Sequence, residues 1–467
     1  MVASKPPSQP VYAPAPRTLW VGESQAAGAV AETIDHRMAA GVMQFVTQKF
    51  PRLARLAMLV GAGGNGRQAL ALAERYKKTG IGVTLVRPGD AVGVEELRTH
   101  DVLIDGLIGT GLHGPLSAVY HDLVGRAQAS RRPIIALDGP TGLDLGTGCP
   151  QPDTLRADYT VFCGGAKIGA LTGAGRAWCG ETTTIDVGQP YPAGYLRALI
   201  PDDADLRALL PLRRVDMHKG DAGTLVIAGG GLGMPGAVRL AAVAAYRVGA
   251  GLVVAGVHER NAEVLAAAFP ECIAFAASSA ELPWGRAQVL LVGSGLGRGD
   301  WAQDVWQRAR TLGRPTVVDG DGLYWLAHAP ESRPDWVLTP HGGEAARLLG
   351  VTSADVAADR PGAAVELQRR YGGVCVLKGA GTLVAGGDIL WLCPFGNPGM
   401  ATAGTGDVLA GTIAGLMAQG LSNLAAARLG TFVHARAGDR AARRGPPRGL
   451  LASDVAAQLR AALGALC

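Results

Sequence analysis

Residues 397–415 read NPGMATAGTGDVLAGTIAG. Gly404, Gly406 and Asp407 stand immediately before Val408, Leu409, Thr412, Ile413, Leu416 and Met417, whose spacing predicts a helix. A helix start offers unpaired N–H groups and the positive end of the dipole, which suit an anion. Glycine in that turn lets the backbone approach a phosphate with no Cβ in the way. A carboxylate beside the phosphate would repel it. Its chemical use is to take a proton from a hydroxyl attacking phosphorus. The plainer reading is a glycine turn with Asp407 as an ordinary first-turn acid.

The same grammar of apolar run, glycine or acid, then alanine-rich stretch recurs along the chain. LAMLVGAGGNG, VTLVRPGD, VLIDGLIGTG, PIIALDGPTG and TTTIDVG belong to the first half, and GTLVIAGGGLG, LVVAGV, VLLVGSGLG, TVVDGDG, WVLTPHGGE and VCVLKGAGT to the second. Continuous apolar strands alternating with helices predict parallel sheets covered on both faces, that is, two three-layer α/β domains. Functional residues should gather at the carboxyl ends of the strands. Between the halves, the prolines and charges of residues 188–214 predict a linker without a strand.

Composition excludes several classes. The chain has 467 residues, 48% of them hydrophobic and 18% charged, enough for two or three packed units. Its 68 glycines are about twice the usual share, without a collagen-like period. A net charge of +5 with no basic block argues against a nucleic-acid partner. The seven cysteines are scattered and form no CxxC, as expected of reduced, cytoplasmic residues. MVASKPPSQPVYAPAPR lacks an apolar core, so residues 1–17 are expected to be a disordered proline-rich tail and not a signal. Arg239 and Arg247 interrupt the most apolar stretch, which excludes a membrane span. GAGGNG fails as a dinucleotide fingerprint, because Arg87 and not an acid ends the next strand.

Other segments add chemistry to the second half. Lys378 follows a strand and precedes a glycine turn, where it can meet a nucleotide phosphate or merely snorkel. His341 with Gly342, Gly343 and Glu344 reads as a ligand contact or a satisfied turn residue. Asp319 and Asp321 are paired acids for Mg²⁺ or a polar substrate, or else a solvated turn.

HKGDAG, GMPGA, GSGLG, DGDGL, TPHGGE, LKGAGT and NPGMATAGTGD, in order across residues 216–467, resemble the carbohydrate-kinase-like NAD(P)H-hydrate dehydratases. GTGD alone is shared by all ribokinase-like kinases, but the combination is this family's own. The resemblance implies a ribokinase-like domain over residues 215–467, and residues 201–214 are expected to be the linker before it. It also implies phosphorylation of the C6 hydroxyl of hydrated NADH or NADPH (NADHX, NADPHX), followed by loss of phosphate. ADP, or ATP in its place, serves as donor with Mg²⁺. Lys378, Gly379, Ala380, Gly381, Thr382, Gly404, Thr405 and Gly406 would hold the nucleotide. Ala237, Gly297, His341 and Asp407 would line the hydrate pocket, with Asp407 as base. Ser294 stands where the family often has proline.

Residues 18–200 are similar to the NAD(P)H-hydrate epimerase domain, a Rossmann-like fusion partner of that dehydratase. IDGLIGTGLHGPL, ALDGPTGLDLGTG and LRADYTVFCGGAKIGAL carry the similarity. It implies Asp138 and Lys167 as catalytic residues, Gly109, Thr110, Gly111 and Asp138 at the substrate, and Asn65, Asp105 and Thr141 at K⁺. Where the family reads GxGNNGGDG this chain has GAGGNGRQA, with Gly64, Arg67, Gln68 and Ala69 as the departures. Three readings of the first half stay open: a working epimerase, a silent domain kept for folding or assembly, and a non-catalytic ligand-binding module. A ribokinase-like kinase that stops after phosphorylating a small alcohol is the alternative for the second half. Paired α/β domains of this kind commonly assemble, so a homo-oligomer is expected.

Overall fold

The computed structural model describes residues 9–12, 28–187, 197–210 and 213–467. The chain divides into two compact units, residues 9–198 with 357–360 and residues 199–356 with 361–467.

The first unit carries six parallel strands, β1 (Arg55–Val60), β2 (Gly82–Val86), β3 (Val102–Gly106), β4 (Ile134–Leu137), β5 (Tyr159–Cys163) and β6 (Glu181–Ile185), in the order β2-β1-β3-β4-β5-β6. Alternation along β1 assigns its side chains to two cores. Leu56, Met58 and Val60 pack with Met38 and Val42 of α1 (Gly28–Lys49) and Leu72 and Tyr76 of α2 (Gly64–Lys77). Ala57 and Leu59 share the opposite core with Leu123, Val124 and Ala127. That is a three-layer α/β unit.

The second unit has β7 (Thr224–Ala228), β8 (Leu252–Val257), β9 (Ile273–Ala276), β10 (Val289–Val292), β11 (Thr316–Val318), β12 (Trp336–Leu338), β13 (Val374–Leu377), β14 (Thr382–Gly386) and β15 (Ile389–Cys393), in the order β9-β8-β7-β10-β11-β12-β13-β14-β15. All pairs are parallel as far as β13, and β14 and β15 then run antiparallel through a tight turn at Gly387. Four helices matter for the site: α3 (Pro235–Arg247), α4 (Gly320–His328), α5 (Gly342–Leu349) and α6 (Thr405–Ala418).

Helix α6 departs from the one-sided face that its spacing suggests, because every residue from Val408 to Ala418 is buried. Small residues make this possible. A Cβ on Gly411 would overlap the backbone of Ala241, and one on Gly415 would lie 2.7 Å from the Cα of Ala245. The helix therefore crosses α3 at backbone contact.

Two expectations about the chain between and before the units need correction. Arg197–Ile200 is a strand, with Ala198 buried, inside the stretch read as strandless. The prolines upstream hid a four-residue run that is free of them. In the segment read as linker, Asp203–Arg207 is a helix closed by reciprocal capping between Asp202 and Asp205. Of the proline-rich start, residues 9–12 form a strand, while 1–8 and 13–17 lie outside the described residues. Among the described residues no helix is long and apolar enough to cross a membrane.

Candidate active site

Asp407 lies in the first turn of α6. Gly404 caps that helix at φ +90°, in the left-handed region, and a Cβ on it would come within 2.5 Å of the Leu240 side chain. The left-handed φ is what calls for glycine there. The Thr405 hydroxyl is committed to the backbone, donating to Met400 O at 3.1 Å and Thr402 O at 3.0 Å.

Lys378 directly follows β13 and does not extend into open space. Its Nζ donates to Asp319 Oδ1 at 2.6 Å and stands 3.8 Å from Glu344 Oε2. A Cβ on Gly406 would sit 3.3 Å from that Nζ, so lysine and helix start are neighbours. Three carboxylates, Asp319, Glu344 and Asp407, thus surround one ammonium. Burial alone would lower the Lys378 pKa, but Asp319 and Glu344 outweigh it and hold the value above the ordinary one. Burial raises Asp407 to about 6, and the negative charge of Asp319 adds to the rise. Burial likewise raises Glu344.

A 380 Å³ cavity opens beside this cluster, lined among others by Gly293, Gly295, Arg298, Asp321, His341 and Glu344. Gly297 borders it, its N–H donating to Asp321 Oδ2 at 2.9 Å. Ala237 lies against Gly295, where an added Cβ would be 3.0 Å from its own. His341 caps α5: its Nδ1 accepts from Gly343 N at 3.0 Å, while Glu344 Oε2 accepts from His341 N at 2.7 Å. His341 lines this cavity, and Gly297 and Ala237 adjoin residues that line it. In the Lys378–Thr382 turn, Gly379 and Ala380 are exposed and the Thr382 hydroxyl donates to Gly379 O at 3.0 Å.

The paired acids Asp319 and Asp321 do not act as a pair. Asp319 turns inward to Thr339 and Lys378, and Asp321 outward to Gly297 and Arg298, because two positions apart at a helix start the side chains diverge. Among the described residues no group of three or more His, Cys, Asp or Glu side chains is arranged to hold a metal ion.

Two neighbours of this site carried no clear sequence signal. The buried Ser294 hydroxyl, without a hydrogen bond of standard geometry, lies close enough to Asp407 to lower its pKa. The serine-for-proline departure was its only trace. His434 packs against Thr405, and burial pushes it down to about 4, so it is neutral. A lone histidine among the alanines of helix Asn423–Ala442 was its only mark.

In the first unit, Lys167 Nζ donates to Asp138 Oδ1 at 2.8 Å, to Gly165 O at 2.8 Å and to Cys163 O at 3.2 Å. Asp138 holds φ +63°, a backbone strain of about 1–2 kcal/mol for a residue with a Cβ. Asp105 is buried at the end of β3, accepting from Thr141 Oγ1 at 2.7 Å and Thr141 N at 2.8 Å. Burial lifts its pKa to about 6, against the lowering effect of the hydrogen bonds from Thr141 and Leu107. Asn65 Nδ2 donates to Leu137 O at 2.6 Å, and a Cβ on Gly109 would meet the Asn65 amide at 2.5 Å. Thr110 and Gly111 are exposed.

The altered loop starts α2. Gly61 and Gly66 are sterically required, since a Cβ on either would overlap backbone, whereas one on Gly63 meets nothing within 4 Å. Arg67 reaches Asp35 at 3.5 Å and Ala69 is fully buried beside Gly106. Asp138 and Lys167 are paired in the presence of these substitutions, while the Gln68 side-chain oxygen is buried without a hydrogen bond of standard geometry.

Comparison with known proteins shows the family. Residues 225–460 match the family model described as NAD(P)H-hydrate dehydratase, and residues 87–169 match the YjeF-related protein N-terminus. The chain is 37% identical to the bifunctional NAD(P)H-hydrate repair enzyme of Coxiella burnetii, over 88% of this chain and 91% of that one. It belongs to the bifunctional NAD(P)H-hydrate repair enzyme family. Among solved structures, the ADP/ATP-dependent NAD(P)H-hydrate dehydratase of Bacillus subtilis, co-crystallised with ATP/Mg²⁺, is similar with TM-score 0.52 and 28% identity, over 57% of this chain and 98% of that one. A ribokinase-like superfamily protein of Enterococcus faecalis gives TM-score 0.54 and 25% identity, over 60% and 99%. Within the repair-enzyme family, the match to the N-terminal model begins after GAGGNGRQA, so the altered loop lies outside it.

Proposed function

We propose that Asp407 is the base of the dehydration reaction, in a chain that repairs hydrated NADH and NADPH. The C6 hydroxyl of the S-hydrate attacks the terminal phosphorus of ADP, or of ATP, and gives its proton to Asp407. The new O–P bond replaces the bond to the departing nucleotide. Phosphate then leaves from C6, pushed by the ring nitrogen, and loss of the C5 proton restores the dihydronicotinamide. Phosphate leaves readily where hydroxide does not.

The observation that supports this most is the placement of Asp407 in the first turn of a glycine-led helix, with its pKa raised to about 6. A base so tuned is ionised at neutral pH yet accepts a proton more readily than an ordinary aspartate. The turn from Lys378 to Thr382 with Gly404, Thr405 and Gly406 takes the nucleotide. Ala237, Gly297 and His341 take the hydrate. The excess of carboxylates over ammonium suits Mg²⁺ arriving with the phosphates, which keeps its waters and needs few protein ligands.

In the first unit Asp138 and Lys167 act at the hemiaminal carbon to interconvert R and S hydrates, with Gly109, Thr110 and Gly111 against the substrate. Asn65, Asp105 and Thr141 fit K⁺: a buried carboxylate whose hydrogen-bond partners Thr141 and Leu107 are uncharged calls for a cation, and the neighbouring oxygens are neutral. Mixed R and S hydrates incubated with the purified chain, ADP, Mg²⁺ and K⁺ test the whole reading. Complete return of dihydronicotinamide absorbance with release of inorganic phosphate is expected. Accumulation of a phosphorylated product would instead identify a kinase.

A further inference from the structure

Asp319 occupies the N-cap position of α4, where an aspartate normally accepts a backbone N–H from the first turn and stabilises the helix by about 1 kcal/mol. Its side chain makes no such bond. It turns away, and one oxygen, Oδ1, takes the Thr339 hydroxyl at 2.7 Å and Lys378 Nζ at 2.6 Å. The other oxygen, Oδ2, points toward the start of α6, where a Cβ on Gly406 would lie 3.8 Å from it. Only 5% of this side chain is exposed. A buried carboxylate that forgoes its cap and directs an oxygen at the residue before the base is held there by specific partners.

We infer that Asp319 is a positioning residue for dehydration, fixing Lys378 against Gly406 and setting the charge that Asp407 faces. The inference rests on Asp407 as base. Thr339 provides the fixture: its hydroxyl and the lysine converge on one oxygen, leaving the carboxylate little freedom to swing back to α4. Lys378 is then a bound cation whose distance from the helix start is set by its partner. The negative charge of Asp319 opposes ionisation of Asp407, and the positive charge of Lys378 favours it. Removing the Asp319 charge shifts that balance toward the ionised base.

The test is the pH dependence of kcat/KM for the full-length chain with S-hydrate, ADP and Mg²⁺. Asp319→Asn should lower kcat and move the acid limb down by about one pH unit. A limb at the wild-type pH, with activity reduced evenly at all pH values, would show a purely structural ion pair and overturn the inference. Thr339→Val keeps every charge and removes only the fixing hydroxyl, which serves if the first variant fails to fold. It should lower kcat and displace the limb in the same direction, and wild-type kcat and limb would refute the role. Asp407→Asn separates the two assignments. Its inactivity alongside an unmoved Asp319→Asn limb defeats the inference alone, whereas its near-normal activity defeats the base assignment.

Discussion

Asp407→Asn removes the proton acceptor and leaves the backbone N–H groups of its turn in place. Turnover should fall roughly 10²- to 10⁴-fold while ADP still binds, measured by absorbance recovery and by calorimetric titration. In the unaltered enzyme the base works only when ionised, so kcat/KM should decline as pH drops through about 6. Lys378→Ala should weaken nucleotide binding, and it also strands the buried Asp319 charge. An unfolding free energy lower by about 3–5 kcal/mol is expected in urea titrations. In the first unit, Asp105 has a folded pKa raised to about 6, so the folded form holds its proton more tightly than the unfolded chain. Stability therefore drops as pH rises through about 6 unless a cation replaces that proton. K⁺ should raise the melting temperature at pH 7.5 and much less at pH 5, with choline chloride as control.

At the scale of elements, the strands were legible because parallel strands buried on both faces read as unbroken apolar runs, VLLV and VCVL among them. The β14–β15 hairpin and the Arg197–Ile200 strand were not, since short runs beside glycines and prolines resemble loops. Asp407, Lys378 and His341 stood out at strand or helix ends. Asp319 as partner of Lys378 did not, because their pairing joins positions 59 residues apart and depends on the order β11-β12-β13. The crossing of α6 over α3 carries its own test. Gly411→Val forces a side chain into the Ala241 backbone and should destabilise the fold by about 1–3 kcal/mol. Gly125→Ala, where an added Cβ meets nothing within 4 Å, should instead stabilise its helix by about 0.5–1 kcal/mol.

At the scale of the whole chain, each unit has its own apolar cores. Asp138→Asn in the full-length chain should therefore leave S-hydrate repair at its normal rate. Mixed hydrates would then reach a plateau near the S fraction, slowed only by spontaneous epimerisation, as followed by absorbance. Thermal scans should likewise show ADP with Mg²⁺ protecting the second unit and K⁺ the first. The separate cores also bear on heredity. Drift in GAGGNGRQA can dull one activity without unfolding the other, so a lineage can lose half of this catalyst gradually and still pass on a working remainder.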